Sequence, residues 1–161
     1  MNEADLKSLY QNILIEHSKA PLHYGKLASH THVAEGFNPL CGDAITLYLE
    51  VREGCIESAQ FESASCSICT ASASMMLERI QKCTIQELSP LFAAFSRLLN
   101  SSETIDAAEL GNALVAFEGL REFPARIHCA DLPWKTLNKA VHGDCTSPEA
   151  QAKLSDSPSE S

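Results

Sequence analysis

From Ala44 to Val51 the chain alternates, with Ile45, Leu47, Leu49 and Val51 falling on one face and Thr46, Tyr48 and Glu50 on the other. A period of two marks a half-buried β-strand. Glu53-Gly54 then reads as a turn and Cys55 to Phe61 as the returning strand, which commits the chain to an antiparallel hairpin. The flanking segments carry helical rather than strand periodicity. The pattern predicts an α+β fold in which a small antiparallel sheet is covered by several helices on one side.

Asn2 caps a first helix whose apolar face is Leu6, Leu9, Tyr10, Ile13 and Ile15, ending near Ser18. Ala20 to Asn38 holds one proline, two glycines and His23, His30 and His32 in no period, and reads as a loop leading to a short strand. Ser65 is placed to cap a helix over Ser67 to Gln81, with Met75, Met76 and Ile80 directed into the core. Thr84 and Glu87 have the spacing of a capping box, while Ser89 ahead of Pro90 offers a competing start. Under either reading Leu91 to Leu99 is helical. Ala107 to Leu120 reads as a helix weakened by Gly111 and Gly119. Asp131 is placed to cap a last helix carrying Leu132, Trp134, Leu137 and Val141. Past Gly143 the residues are Ser, Pro and acidic types with little to bury, so the expected domain is 1–143 and 144–161 an expected disordered tail.

Twelve Lys and Arg stand against twenty-one Asp and Glu, a formal charge of -9. Such a surface repels phosphate backbones and anionic headgroups, so neither nucleic acid nor a membrane is an expected partner. The acidic start lacks the basic and apolar segments of an export signal, and the Ser, Ala and Cys run from Ser63 to Leu77 is too short and polar to span a bilayer. The expected compartment is cytoplasmic. There the seven cysteines read as metal ligands, reactive thiols or small core residues rather than as a disulfide framework.

Three thiols fall where the chain changes element: Cys41 before the first clear strand, Cys66 at a helix start and Cys129 just ahead of another helix. Unpaired amides and the helix dipole favour a thiolate at Cys66 and, more weakly, at Cys129. In Cys41-Gly42-Asp43 the glycine permits a tight turn that lets a thiolate and a carboxylate face one ion. Three sulfurs and one oxygen are a tetrahedral zinc set, although the separations match no compact zinc-finger spacing.

Asn38-Pro39-Leu40-Cys41-Gly42-Asp43, Cys66-Ser67-Ile68 with Ala71-Ser72-Ala73-Ser74-Met75-Met76, and Phe123-Pro124-Ala125-Arg126-Ile127-His128-Cys129 together resemble the SufU/IscU/NifU family of iron-sulfur cluster assembly proteins. The resemblance runs from about Leu6 to Val141, and the stretch between Cys66 and Cys129 is similar to the SufU branch. It implies a zinc-dependent sulfur acceptor that takes persulfide sulfur from a SufS-like cysteine desulfurase and serves downstream iron-sulfur assembly proteins, a sulfurtransferase-like partner rather than a stand-alone enzyme. The alternative that it implies is a scaffold building an iron-sulfur cluster, or holding iron, on the same cysteines. Carried over by motif, Cys41, Asp43, Cys66 and Cys129 are the metal ligands, Cys41 is the sulfur acceptor, and Arg126 lies near the desulfurase contact. His128 stands where the SufU pattern has Lys and the IscU pattern has His, so the resemblance leaves its ligation open.

The remaining thiols and imidazoles have ordinary readings. Cys69, three residues after Cys66, is expected to pack, and Cys55, Cys83 and Cys145 to be structural or incidental. His17, His23, His30, His32 and His142 have no ligand spacing and are expected in solvated or capping roles, and Trp134 in the core. A zinc hydrolase would need an open coordination position and a general base, which a closed four-ligand set does not offer.

Overall fold

A computed structural model describes residues 3–40, 42–111 and 113–142. The side chains of Leu6, Leu9 and Tyr10, and the tail with Cys145, lie outside the described part. The chain order is α1 (Glu3–Lys19), β1 (His32–Asn38), β2 (Asp43–Arg52), β3 (Cys55–Ala64), α2 (Ser67–Ile80), α3 (Ile85–Asn100), α4 (Ala107–Leu110), a 3₁₀ segment (Leu114–Glu122) and α5 (Pro124–His142). The fold is α+β, and among the described residues the strands form one antiparallel sheet in the order β1-β2-β3.

The hairpin follows the alternation. Ile45, Leu47 and Leu49 are buried on the helix-covered face, and Phe61 pairs with Leu47 across it. Glu53 and Gly54 both take positive φ, as a two-residue turn that matches strand twist requires. Tyr48, on the opposite face, is buried as well, because its hydroxyl donates to Glu62 Oε1 at 2.7 Å and the His30 ring meets it edge-on.

Several boundaries differ from expectation. The short strand expected before Cys41 is a seven-residue edge strand, β1, because pairing with β2 from His32↔Leu49 to Asn38↔Asp43 supplies an order that its own composition does not advertise. On α1, Ile15 is 48 % exposed rather than facing the core, while Ile13 and Leu14 pack inward. The Thr84–Glu87 capping box is formed, and Pro90 lies inside α3 rather than opening it. The expected helix over Ala107 to Leu120 divides at Gly111 (φ +107), where a left-handed backbone ends α4 after one turn. Finally, α5 begins at Pro124 rather than after Asp131, because proline at a first helical position presets φ and gives up an amide that would have no helical acceptor. Asp131 lies within that helix and pairs with Lys135 at 3.4 Å.

Two close approaches hold the layers. A side chain on Gly36 would collide with the Thr136 hydroxyl, so β1 and α5 meet where only glycine fits. Between α3 and α5, Phe95 stacks on Trp134 at 4.4 Å and meets Phe117 edge-on at 5.6 Å, filling the core between these helices. No described helix is long and apolar enough to cross a membrane.

Candidate metal centre

Asp43, Cys66 and Cys129 arrive from three elements. Asp43 is the first residue of β2, Cys66 precedes α2 as its N-cap, and Cys129 lies in the second turn of α5. Their ligand atoms all lie within 4.8 Å of one another. Asp43 and Cys129 are each only 1 % exposed, while Cys66 is half-buried. The sheet register fixes Asp43 on the covered face, two residues before Ile45. Pro124 sets where α5 begins and therefore which turn presents Cys129.

The start of α2 is the informative detail. Ser65 was the expected cap, but its hydroxyl meets Thr70 Oγ1 at 3.0 Å, and the N-cap residue Cys66 makes no capping bond with its own side chain. Asp43, from a strand, instead satisfies the amide of the N-cap residue itself. Its Oδ1 accepts the Cys66 backbone N–H at 2.9 Å, and the Cys66 thiol lies 3.9 Å from Oδ2. An N-terminal amide thereby holds a nearly buried carboxylate, which the helix dipole also favours.

These donors fit a zinc ion. Tetrahedral bonds of about 2.0–2.3 Å place neighbouring ligand atoms roughly 3.3–3.8 Å apart, so atoms already within 4.8 Å need only a small contraction. Two thiolates and a carboxylate suit zinc, and a fourth donor is required to close the set. Cys41 lies outside the described residues. The backbone on either side of it turns: Gly42 takes φ +74, its N–H donates to the Asn38 carbonyl at 2.8 Å, and the Leu40 N–H donates to Asn38 Oδ1 at 3.1 Å. The left-handed glycine expected in this motif is present.

The other singled-out residues divide. Arg126 and His128 are both exposed, and neither belongs to the cluster of ligand atoms among the described residues. Arg126 instead borders an apolar groove of about 430 Å³ with Leu14, Ile68, Leu120 and Phe123, next to the start of α2. Because α5 starts early, Cys129 sits past the first turn, so the dipole argument made for its thiolate does not apply. Cys69 is fully buried among core residues, as expected of packing. Burial, with Glu87 nearby, pushes the Cys83 thiol up. Four histidines are more than solvated: His17 Nδ1 lies 2.7 Å from the buried Ser74 hydroxyl, His23 pairs with Glu78 at 2.8 Å, His30 Nδ1 lies 2.7 Å from the Leu27 carbonyl and His32 Nδ1 lies 2.8 Å from the Thr31 hydroxyl. His17 is held below the usual imidazole value, chiefly by burial.

Sequence reasoning missed Ser72. Its hydroxyl donates to the Ala130 carbonyl at 2.6 Å and accepts Trp134 Nε1–H at 3.2 Å, bonding α2 to α5 beside Cys129. Nothing distinguishes it in sequence from the other serines of that helix.

Comparison with known proteins bears on the whole domain. A family model described as NifU-like N terminal domain matches residues 9–130. The chain is 38% identical over 138 residues to the zinc-dependent sulfurtransferase SufU of Bacillus subtilis, covering 86% of this chain and 92% of that protein. It is 36% identical over 135 residues to the iron-sulfur cluster assembly scaffold protein IscU of Thermotoga maritima, covering 84% and 94%. Among solved structures, a putative iron-sulfur cluster assembly scaffold protein for the SUF system from Fervidobacterium islandicum superposes with a TM-score of 0.73 at 32% identity, over 80% of this chain and 93% of that one.

Proposed function

The chain belongs to the NifU-like N-terminal domain family, and from that premise we propose that it is a zinc-dependent sulfur acceptor in iron-sulfur cluster assembly, receiving persulfide sulfur from a cysteine desulfurase. The observation that carries this reading is the convergence of Asp43, Cys66 and Cys129, whose ligand atoms all lie within 4.8 Å of one another. Similarity to the Bacillus subtilis sulfurtransferase over most of both chains supports it.

Asp43, Cys66, Cys129 and Cys41 would hold the ion, which, when bound, keeps its sulfur ligands deprotonated. The chain's own contribution is positional. Asp43 is anchored at Oδ1 by the Cys66 amide, which leaves Oδ2 for the site. Cys66 and Cys129 are attached to helices, whereas Cys41 is followed in sequence by Gly42, whose backbone takes φ +74. Cys41 is therefore the thiolate suited to attack the outer sulfur of the donor's persulfide. A new S–S bond forms at Cys41, the donor's S–S bond breaks, and the donor cysteine leaves as a thiolate. No net oxidation or reduction is involved. Arg126 and Phe123, which is 56 % exposed, line the groove beside the start of α2 and would offer a surface to the donor protein.

Similarity to IscU supports a second reading, assembly of a cluster on the same cysteines, with His128 as an added ligand after local rearrangement. One experiment separates the two. Protein purified as isolated is analysed for metal, then turned over with a cysteine desulfurase and cysteine and examined by mass spectrometry. One colourless zinc per chain and an added sulfur on Cys41 are expected, and the same from a chain truncated after Gly143. Iron with acid-labile sulfide supports the scaffold. Sulfur on Cys69 or Cys145 with Cys41 unmodified overturns the acceptor assignment.

A further inference from the structure

Two serines of α2, Ser72 and Ser74, are fully buried, and each directs its hydroxyl to a neighbouring element. A serine inside a helix is able to turn back to the carbonyl one turn earlier, so bonds that leave the helix are a choice set by packing. Ser74 accepts the Leu22 N–H at 2.8 Å and lies 2.7 Å from His17 Nδ1, which fastens α2 to α1 and the chain just beyond it. Ser72 donates to the Ala130 carbonyl at 2.6 Å and accepts Trp134 Nε1–H at 3.2 Å, which fastens α2 to α5. The difference lies in what the joined elements carry. Among the described residues α1 brings no ligand to the cluster, whereas α2 carries Cys66 as its N-cap and α5 carries Cys129, the residue before Ala130.

The Ser72 bond falls at a weakened turn. Pro133 lies inside α5 and has no N–H, so the helical rung from residue 133 to the Cys129 carbonyl cannot form. The turn that presents Cys129 is held to its own helix by one rung fewer, and the adjacent carbonyl is the one that Ser72 grips from α2. On the other helix, Ser72 stands less than two turns after Cys66, about 9 Å along the axis. A shift of α2 against α5 at Ser72 therefore reaches Cys66 undiminished. The ligand atoms lie within 4.8 Å of one another, and a tetrahedral zinc ion requires roughly 3.3–3.8 Å. Sliding by about 1 Å is enough to loosen such a site.

We propose that Ser72 is a positioning residue of the metal centre, its bond to the Ala130 carbonyl setting the separation of Cys66 and Cys129 in place of the helical rung that Pro133 removes. The proposal rests on the reading of Asp43, Cys66 and Cys129 as metal ligands. Ser72 acts through the backbone of α5, so its effect is on the geometry of the site rather than on the donor strength of a sulfur. Trp134 Nε1–H occupies the hydroxyl oxygen from the other side and leaves the serine proton for Ala130. With the separation preset, the site keeps its shape when a ligand is exchanged.

The test uses the full chain loaded with cobalt(II), whose d–d bands report coordination geometry and whose charge-transfer bands report thiolate ligation. Ser72→Ala should bind cobalt roughly tenfold more weakly, the loss expected when an outer contact that orients a ligand is removed. At saturation its d–d bands should be shifted and weaker per bound ion. A serine with a merely structural role would lower occupancy and leave the bands of the bound fraction as in wild type, and that result overturns the proposal. Trp134→Phe is the control for a defect in the same core, since it keeps a ring beside Phe95 and leaves Ser72 bonded to Ala130. Its spectrum should match wild type, and changes equal to those of Ser72→Ala overturn the proposal. The double variant Ser72→Ala/Pro133→Ala restores the helical rung and guards against a single variant that does not fold. It should fold and give d–d bands close to those of wild type. A double variant that fails to fold, or that shows the full shift of Ser72→Ala, overturns the proposal. Wild-type protein without a thiolate-to-cobalt band overturns the metal reading itself, whereas wild-type thiolate bands with an unaltered Ser72→Ala spectrum refute this inference alone.

Discussion

Two helices of this protein start in opposite ways. The start of α3 is closed by its own sequence, since the Glu87 amide donates to Thr84 Oγ1 at 3.3 Å and Glu87 Oε1 accepts the Thr84 amide at 2.7 Å. The start of α2 is closed by a residue from another strand, Asp43, which is also one of the converging ligands. A local cap stabilises its helix whatever the rest of the chain does. A borrowed cap ties the helix start to the sheet and to the charge state of the site, so at α2 stability and function depend on one carboxylate.

The largest expected effect of that difference is on metal removal. Two helices and a strand contribute the proposed ligands, so on this reading binding energy at the site is also folding energy, and stripping zinc with a strong chelator should lower the melting temperature by many degrees. A calorimetric scan after proven zinc loss that shows an unchanged midpoint would break the proposed link between site and fold.

Next comes Asp43 itself. Asp43→Ala removes the cap as well as the ligand, while Asp43→Asn retains an oxygen for the Cys66 amide and loses the charge. In metal-free protein, alanine should destabilise by about 1–2 kcal/mol more than asparagine by denaturant unfolding, because the buried amide loses its acceptor. Both should bind zinc weakly. Equal stabilities for the two variants would show that the borrowed cap contributes nothing.

The same contrast explains what was legible in the sequence. The α3 capping box lies within four residues, and the β2–β3 hairpin is written in alternation plus Glu53-Gly54, so local chemistry suffices for both. Ser65 at α2 met the local rule and was wrong, because the helix starts one residue later with Cys66 at the N-cap, whose amide Asp43, far away in sequence, accepts. Asp131 misled for the related reason that a good capping residue also lies comfortably inside a helix, where Lys135 pairs with it. Positions at element changes nominated Cys41, Asp43, Cys66 and Cys129 as a zinc set, and resemblance gave them as the ligands. Spacing alone did not, since convergence of Asp43, Cys66 and Cys129 depends on where β2, α2 and α5 begin.

For α3, Thr84→Ala should cost about 1 kcal/mol and leave zinc content and sulfur uptake untouched, as expected of a cap without a second duty. Urea melts and metal analysis of the same preparation check both halves. Loss of zinc in this variant would show that the two helix starts are coupled through α2.

The smallest effect concerns the acidic partner in the local box. Hydrogen bonds from Thr84, backbone first and then side chain, hold the Glu87 carboxyl below its usual range. A lowered carboxyl pKa means that the unfolded chain takes up a proton at a higher pH than the folded one. The contribution is therefore complete above the ordinary glutamate value of roughly 4.3 and fades as pH falls through the lower folded value. Glu87 is fully exposed, so solvent screening keeps the effect slight. Glu87→Gln retains an oxygen for the Thr84 amide but cannot titrate. In metal-free protein, where thiolate protonation releases no ion, the difference in melting temperature between wild type and Glu87→Gln should be constant above about pH 5 and narrow below it. A difference that stays constant from pH 6 to 3 would mean that Glu87 caps by shape alone, with its charge playing no part in closing α3.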